Sequence, residues 1–401
     1  MTSLDSSIAA AAVLAREFAL RTLLPRAAEL EADGGTPRLS SSERPSEGVP
    51  LASLMSVLAG RLGLPELARD AAHDPAAHDG LLASPDFTGT LVHELSRALP
   101  GFALSFGASI GLCGQSILRR GTPAQRERWA APVLAFTRIG CWALTEPEAG
   151  SDAFALRTTA RSLASGAYAL SGEKAFITNA PIADTFVVYA RIQGSALDGQ
   201  IRPFLLERGD AGLTTSRPLS KMGMRASPTG SIFLDDTPVG EDRLLGDPAE
   251  SGKRAAIETL LGERAALAGM ALAIVEESLR IAVEYAKTRK QFGQPIAQFQ
   301  AVQLRLAKMY AAQETIRALL ERGRRLVAEG EASLAYFCAA KYTASTLATA
   351  CAPDAVQCLG GNGYSTEFRV EGFARDAKLL EIGGGTSDIQ LLAVARELLR
   401  D

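Results

Sequence analysis

The chain has 401 residues, which is enough for two or three domains with sizeable cores. Hydrophobic residues make up 47% and charged residues 22%, a composition that excludes disordered and collagen-like chains. The net charge of -3 gives no general attraction for nucleic acid, and the 3 histidines are too few for a multi-histidine metal site.

The cysteines and the N-terminal stretch bear on location. The 5 cysteines form no CxxC pair, so we expect a reduced, intracellular and specifically cytoplasmic setting. Charged residues at Asp5, Arg16 and Glu17 interrupt the N-terminal apolar run before it reaches membrane-spanning length. We therefore expect neither a signal peptide nor a membrane segment.

Residues 1–136 are predicted to form an N-terminal helical domain, because Ala and Leu recur there with helical spacing. Two stretches within it, 34–50 and 70–88, are rich in Gly, Pro, Ser and Asp and are predicted as loops or short linkers. His73 and His78 fall in the second stretch. We expect solvated loop histidines there rather than metal ligands.

Residues 137–240 are predicted to form a small antiparallel β-domain. Short runs rich in β-branched and aromatic residues, at 186–190, 202–207 and 231–236, are separated by turn signals. Helical patterns return in residues 241–401, at 249–294, 296–330, 331–352 and 386–400, and they predict an up-and-down helical bundle. The fold class is therefore predicted as α+β, mostly α.

One carboxylate interrupts an apolar face of the first long C-terminal helix. Glu263 lies on the same face as Leu260, Leu267 and Met270. An unpaired buried carboxylate is costly, and burial raises its pKa towards the range in which a general base works well. Glu263 is therefore a candidate catalytic base. Alternatively, it is a first-turn glutamate at a fraying helix start, stabilised by the helix dipole or paired with Arg264.

The segment 381–390 places three glycines before a predicted helix start. Ser387 and Gln390 fit a capping box, and free N–H groups at such a start can bind an oxygen or a phosphate. The same glycines can also form a tight turn that holds no ligand.

Six segments resemble, in order along the chain, the acyl-CoA dehydrogenase family, whose members are FAD enzymes that oxidise a thioester between Cα and Cβ. The segments lie between about residue 100 and the C-terminus, and they are CWALTEPEAGSD (141–152), SGEKAFITNA (171–180), KMGMRASPTG (221–230), YAKTRKQFGQPIAQFQAVQ (285–303), DAVQCLGGNGY (354–364) and RDAKLLEIGGGTSDIQ (375–390). The resemblance implies an N-terminal helical domain (1–136), a central β-domain (137–240) and a C-terminal four-helix bundle (241–401).

The resemblance also implies FAD as the cofactor and assigns residues to it by position. The residues placed around the isoalloxazine ring and the phosphates of FAD are Trp142, Leu144, Thr145, Ser151, Phe176 and Thr178. The residues expected to contact the FAD of a neighbouring subunit are Arg289, Gln291, Phe292 and Gln300. Further cofactor positions are Gln357, Gly360, Gly361, Thr386 and Asp388. A site that draws on two chains implies an obligate dimer, usually a dimer of dimers.

Most members of the family carry the catalytic base as a glutamate where this chain has Gly384. A minority, including isovaleryl-CoA dehydrogenase-like members, carry it at the position of Glu263. The resemblance thus implies that Glu263 removes the α-proton, that the β-hydrogen passes as hydride to flavin N5, and that the Gly384 N–H binds the enolate oxygen. One such donor contributes about 3–4 kcal/mol to transition-state stabilisation. Ser151 and Arg264 are expected to contact the substrate.

Two segments bear on the substrate. The family's usual GLxxPxxYGG segment is replaced by residues 70–88, so part of the acyl or pantetheine entrance is expected to differ. The small residues of FGASIG (106–111) lie on the helix expected to floor the acyl pocket. They permit a deep or branched acyl group, or they serve close helix packing.

Three functions follow from the resemblance. The first is an acyl-CoA dehydrogenase that passes electrons to an electron-transfer flavoprotein. The second is a dehydrogenase or oxidase of an acyl or aminoacyl group carried by an acyl-carrier protein. The third is a DNA-associated flavoprotein, which the acidic balance and the retained Glu263 disfavour. No nucleic-acid or membrane partner is therefore expected.

Overall fold

The computed structural model describes residues 3–32, 50–247 and 249–400. The predicted loop at 34–50 lies outside these ranges except for Pro50, which begins a helix. The N-terminal part is helical, as predicted, with α1 Ser3–Phe18, α2 Ala27–Ala32, α3 Pro50–Arg61, α4 Leu64–His73, α5 Pro85–Ser96, α6 Pro100–Gly107, α7 Gln115–Arg120, α8 Pro123–Gln125 and α9 Ala131–Leu134.

Segment 70–88 is largely helical, so the prediction of a loop there was wrong. α4 runs to His73, a 3₁₀-helix covers Ala77–Ala83, and α5 begins at Pro85. Proline at the first helical turn has a φ already suited to a helix, and the alanines favour helix, which together outweigh the Gly and Asp signals. His73 and His78 are exposed, as expected. Within the described residues, no group of His, Cys, Asp or Glu could hold a metal ion.

A continuous helical run crosses the interior of the N-terminal domain. It consists of α6, a π-helical segment Ala108–Gly114, and α7. By length and composition the run Pro100–Arg120 could cross a membrane, but 78% of its most apolar window is buried inside the fold, which is the pattern of a core helix. The pair α3 and α4 is together also long and apolar enough to cross a membrane, but the two helices meet at a bend of 77°.

The central sheet contains seven strands, with β1 Gly140–Ala143, β2 Thr159–Ser162, β3 Tyr168–Thr178, β4 Thr185–Gln193, β5 Ile201–Glu207, β6 Leu213–Thr215 and β7 Thr229–Val239. The strand order is β1-β4-β2-β3-β7-β6, and β5 also pairs with β4. β4 runs parallel to β1 and β2, whereas the other pairings are antiparallel, so the domain predicted as antiparallel has a mixed sheet.

Alternating side chains give this sheet two buried faces. Val187 and Tyr189 of β4 face the helical core, whereas Phe186 and Val188 belong to a separate core of the β-domain. Since side chains along a strand point to opposite faces, one strand can support both cores. The sheet is thereby held against the helix that contains Ser109, whose Oγ accepts a hydrogen bond from Gly140 N at 2.9 Å.

The C-terminal domain is a helical bundle with α10 Gly252–Thr288, α11 Gln300–Ala328, α12 Leu334–Leu359, α13 Gly361–Tyr364, α14 Val370–Leu380 and α15 Ser387–Leu398, and with a short hairpin of β8 Lys290–Gln291 and β9 Gln294–Pro295. The sequence predicted that the third helix would end at residue 352, but α12 continues through Pro353. Proline removes one helical hydrogen bond, and the next residue, Asp354, pairs with Arg305 of α11 at 2.6 Å.

The fourth position of the bundle is filled by two helices in series. α14 and α15 both pack on α12. Thr349 of α12 donates to Ala377 O of α14 at 3.4 Å, and Ala335 N at the start of α12 donates to Glu397 of α15 at 3.1 Å. The pair therefore runs antiparallel to α12, with an interruption at residues 381–386.

A buried ionic cluster joins four helices. Glu94 of α5 pairs with Arg16 of α1 at 2.7 Å, and Glu276 of α10 pairs with Arg317 of α11 at 2.9 Å. His93 lies between the carboxylates, 3.3 Å from Glu94 and 3.2 Å from Glu276. Burial opposes ionisation, but the hydrogen bonds from these cations lower the pKa of Glu94 and of Glu276 to about 2.

Candidate functional site

Glu263 lies well inside α10, about three turns from its start at Gly252. The alternative of a fraying first-turn glutamate was therefore wrong. The carboxylate lines a cavity between α5, α10 and the run of α6 and α7. Within the described residues it has no ion pair and no hydrogen-bond partner. Burial raises its pKa, and the nearby charges of Arg264 and Lys341 partly oppose that rise.

The glycine loop between α14 and α15 reaches the same point. Gly384 has a φ of +64°, a conformation that favours glycine. A Cβ at Gly384 would lie 3.3 Å from Glu263 Oε2 and 2.8 Å from Leu267 Cδ1. The Gly384 N–H has no hydrogen-bond partner among the residues that the structure describes. The two predicted catalytic positions are thus adjacent, and one of them offers a free donor.

The start of α15 differs by one residue from the predicted capping box. Thr386 is the N-cap, because it has an extended ψ of 159° and its hydroxyl accepts from Ile389 N at 3.3 Å. Ser387 is already helical, and Gln390 turns back to donate to the carbonyls of Gly384 and Gly385 at 2.9 and 3.0 Å. Gln390 therefore stabilises the glycine loop rather than the cap.

Two buried cations accompany Glu263. Arg264 is buried, and its Nε and Nη1 atoms have no hydrogen-bond partner in the part of the chain that the structure describes. Lys341 of α12 is 1% exposed and donates from Nζ to Gly385 O at 2.7 Å. The sequence analysis missed Lys341, although a signal was present, since it is the lone charge in the otherwise uncharged stretch 337–348. The criterion that identified Glu263 would have found it.

The cavity beside Glu263 has an apolar wall of small residues. Ala103, Gly107, Ala108 and Gly111 line it from the α6 run. A Cβ at Gly107 would lie 2.9 Å from Val92, and one at Gly111 would lie 3.0 Å from Thr88. These two glycines therefore allow the close packing of α5 as well as forming the cavity wall, which combines the two interpretations of FGASIG.

The edge of the β-domain faces this cavity. Thr178, at the end of β3, lines the same cavity as Glu263. Ala175 N donates to Thr145 O at 3.0 Å, which places the segments that follow β1 and end β3 side by side. Phe176 has a φ of +57° and is 68% exposed. An exposed aromatic ring is suited to cover a planar ligand.

The other residues predicted at this edge have different surroundings. Trp142 of β1 packs edge-on against Tyr189, with ring centroids 5.0 Å apart. Leu144 is buried, whereas Ser151 is exposed in the loop that follows. Asp388 is exposed in the first turn of α15, close to Thr386.

A buried ion pair, which the sequence analysis also missed, stabilises this edge. Lys174 of β3 is fully buried and donates to Glu146 at 2.8 Å and to Leu144 O at 3.1 Å. Glu146 also accepts from the backbone N–H groups of Arg157 and Thr158 at 2.6 and 2.9 Å. The pair thus fixes both ends of the loop that carries Thr145 and Ser151.

A second set of predicted residues lies elsewhere. Arg289, Gln291, Phe292 and Gln300 are exposed in and after the hairpin that follows α10. The 25 residues from Glu263 to Thr288 span about 38 Å of helix. Gln357, Gly360 and Gly361 lie at this distant end too, where Asn362 donates to Tyr285 at 3.0 Å. One chain therefore does not bring the two sets together.

Comparisons with known proteins agree along the whole chain. Models of the N-terminal, middle and C-terminal domains of acyl-CoA dehydrogenase match residues 63–137, 141–237 and 250–399. The short-chain specific acyl-CoA dehydrogenase of Megasphaera elsdenii is 38% identical over 77% of this chain and 80% of its own length. The mitochondrial isovaleryl-CoA dehydrogenase of Solanum tuberosum is 36% identical over 77% of this chain and 75% of its own length.

Solved structures are similar over the full length. Butyryl-CoA dehydrogenase from Megasphaera elsdenii superposes with a TM-score of 0.86 and 32% identity, covering 100% of this chain and 99% of that chain. A glutaryl-CoA dehydrogenase from Mycobacterium smegmatis, in complex with FADH2, gives a TM-score of 0.85 and 25% identity, covering 98% of this chain and 95% of that chain.

Proposed function

Because this chain belongs to the acyl-CoA dehydrogenase family, we propose that Glu263 is the general base with which it dehydrogenates an acyl-CoA thioester. The chain is an FAD-dependent oxidoreductase, as its family and close relatives are. The observation that supports Glu263 is its position: it is a carboxylate without a hydrogen-bond partner among the described residues, it lines an apolar cavity, and it lies beside Gly384.

The β-domain edge fits the flavin part of FAD. Thr178 lines the cavity, the ring of Phe176 two residues earlier in β3 is exposed, and Lys174 and Glu146 fix the neighbouring loop. FAD, when bound there, would supply the hydride acceptor for the β-hydrogen. Leu144, Thr145 and Trp142 would form the wall behind it.

Glu263 performs the proton-transfer half of the reaction. Burial raises the pKa of its carboxyl group, so the carboxylate is a stronger base than one in water. As Glu263 takes the α-proton, negative charge develops on the thioester oxygen. The Gly384 N–H, which has no partner among the described residues, is suited to bind that oxygen, and the charge of Arg264 also acts on Glu263.

We propose that a second copy of the chain completes the cofactor site. This proposal is supported by the separation of about 38 Å between Glu263 and the end of α10, where Arg289 and Gln291 begin. Residues at that end cannot contact the flavin that Glu263 serves. They would contact the FAD of a neighbouring subunit in a dimer, or in a dimer of dimers, and electrons would leave to an electron-transfer flavoprotein.

Anaerobic bleaching of the flavin tests the proposal. We expect acyl-CoA thioesters to bleach the wild-type flavin, and Glu263→Gln to keep FAD and the fold but to slow bleaching by about 100- to 10,000-fold, the usual contribution of a general base. Glu284→Gln is the matched control, because Glu284 is an exposed carboxylate of α10 that pairs with Arg280 at 2.9 Å. A Glu263→Gln rate within a few-fold of the wild type would refute the assignment.

A panel of substrates tests the form of the thioester. The same acyl groups are presented on CoA and on an acyl-carrier protein. Faster bleaching by the carrier-bound forms would assign the carrier-protein function in place of the CoA function. The preferred length of the acyl group is read from the bleaching rates of the same panel.

A further inference from the structure

We propose that Lys341 is a positioning residue that acts through Glu263: its ammonium group stabilises the charge of that carboxylate and holds the Gly384 loop against it. This inference rests on the proposed role of Glu263. Lys341 lies 78 residues beyond Glu263 in the chain, and α10 and α12 bring the two together.

The first observation is a buried ammonium group without a counter-ion in contact. Lys341 is 1% exposed, its Nζ donates to the neutral Gly385 carbonyl at 2.7 Å, and it forms no ion pair with any residue that the structure describes. Burying an unpaired charge is costly. Burial lowers the pKa of Lys341 to about 8, so negative charge close by favours its ammonium form even if the two groups do not touch.

The second observation identifies that negative charge. The charged and titratable groups that act on Lys341 are Glu263 and Arg264 of α10, Glu381 after α14, and Cys338 of its own helix, with Glu263 the strongest of them. In turn, Lys341 and Arg264 are the two cations that lower the pKa of Glu263 against the effect of burial. The coupling between Lys341 and Glu263 is therefore mutual.

The third observation concerns geometry. Lys341 and Gln390 both donate to Gly385 O, at 2.7 and 3.0 Å. Gly385 has a φ of +92° and directly follows Gly384. The two side chains thus fix the loop that presents the Gly384 N–H, but only Lys341 also brings a charge. This difference separates an electrostatic role from a purely structural one.

The two donors provide a matched pair of variants. Lys341→Met and Gln390→Met each remove a hydrogen bond to the Gly385 carbonyl, but only Lys341→Met removes a positive charge. Losing that charge destabilises the Glu263 carboxylate, so we expect the acid limb of the kcat/KM profile to move up by about 1 pH unit in Lys341→Met. In Gln390→Met we expect a lower rate with the limb unmoved. Lys341→Arg should return the limb towards its wild-type position.

A direct titration makes the test independent of activity. The carboxyl stretch of Glu263 is followed by infrared difference spectroscopy against pH, with Glu263→Gln as the blank. We expect the titration midpoint to rise in Lys341→Met even if no thioester is oxidised, so failure of the proposed function is distinguishable. If Lys341→Met does not fold, Lys341→Gln removes the charge and keeps a donor. An unmoved midpoint, or an equal shift in Gln390→Met, would overturn the inference.

Discussion

Glu263 on α10 and Gly384 in the loop before α15 lie beside each other in the structure. A Cβ at position 384 would lie 3.3 Å from Glu263 Oε2, so a glutamate at 384 could present its carboxyl group to the same α-proton. Two costs oppose such an exchange. A side chain at a φ of +64° costs about 1–2 kcal/mol, and the new Cβ would lie 2.8 Å from Leu267 Cδ1.

An exchange of the carboxylate is therefore expected to work in part. We expect Glu263→Gly with Gly384→Glu to recover some of the flavin-reduction rate lost in Glu263→Gly, and Leu267→Ala to increase the recovery by removing the clash. Anaerobic stopped-flow bleaching measures the rates. The control is Glu263→Gly with Gly384→Gln, which has the same bulk at position 384 but no base. If the variant with Gly384→Glu is folded and loaded with FAD and is still as slow as this control, shared access to the α-proton is contradicted.

The ionic cluster between α1, α5, α10 and α11 makes their packing depend on pH. Glu94 and Glu276 have native pKa values of about 2 against an ordinary 4.5, so their contribution to stability is present above about pH 4.5 and is lost as the pH falls towards 2. Burial lowers the pKa of His93, but its two carboxylate partners raise it more, above its ordinary 6.5. The contribution of His93 is present below 6.5 and is lost as the pH rises through its native pKa.

The cluster should therefore stabilise the fold most between about pH 4.5 and 6.5. We expect His93→Gln to lower the midpoint of thermal unfolding by a few degrees in this range, and by less at higher pH, where the wild-type histidine is neutral. His73→Gln is the control, because His73 is exposed. A decrease that is the same at every pH would contradict the charge-based role of His93.

Long helices with a repeated apolar face could be predicted from the sequence. The contacts between helices that are distant in sequence could not. α10 repeats its apolar face over many turns, and this repetition also exposed Glu263 as an exception to it. α14 spans only 11 residues between glycine-rich segments, too short for periodicity to identify it. The meeting of Glu263, Lys341 and Gly384 depends on packing between helices distant in sequence, which periodicity does not encode.

On the scale of the whole molecule, the two sets of residues predicted to bind the cofactor lie near opposite ends of α10. The hairpin at the far end exposes Phe292 to 93%, with a φ of +51°. A large apolar side chain held outward in a strained conformation is unfavourable in an isolated chain. It is explained if a second copy covers it.

Subunit association and cofactor content should therefore change together. We expect Phe292→Asp to weaken the oligomer and to lower the FAD content of both subunits, as measured by analytical ultracentrifugation and flavin absorbance. Val13→Asp is the control, because Val13 is 67% exposed on α1, far from the hairpin in sequence. A monomer that keeps its full FAD content would contradict a site built from two chains.

The interruption between α14 and α15 has a chemical consequence. In an unbroken helix, each interior amide is engaged by the carbonyl four residues earlier. Gly384 lies in the gap between the two helices, so its N–H is left able to donate a hydrogen bond to a thioester oxygen. Alanine at Gly384 or Gly385 would meet Leu267 Cδ1 at 2.8 Å or Gln390 Nε2 at 2.7 Å, so the glycines that expose this amide also let the loop fit between its neighbours.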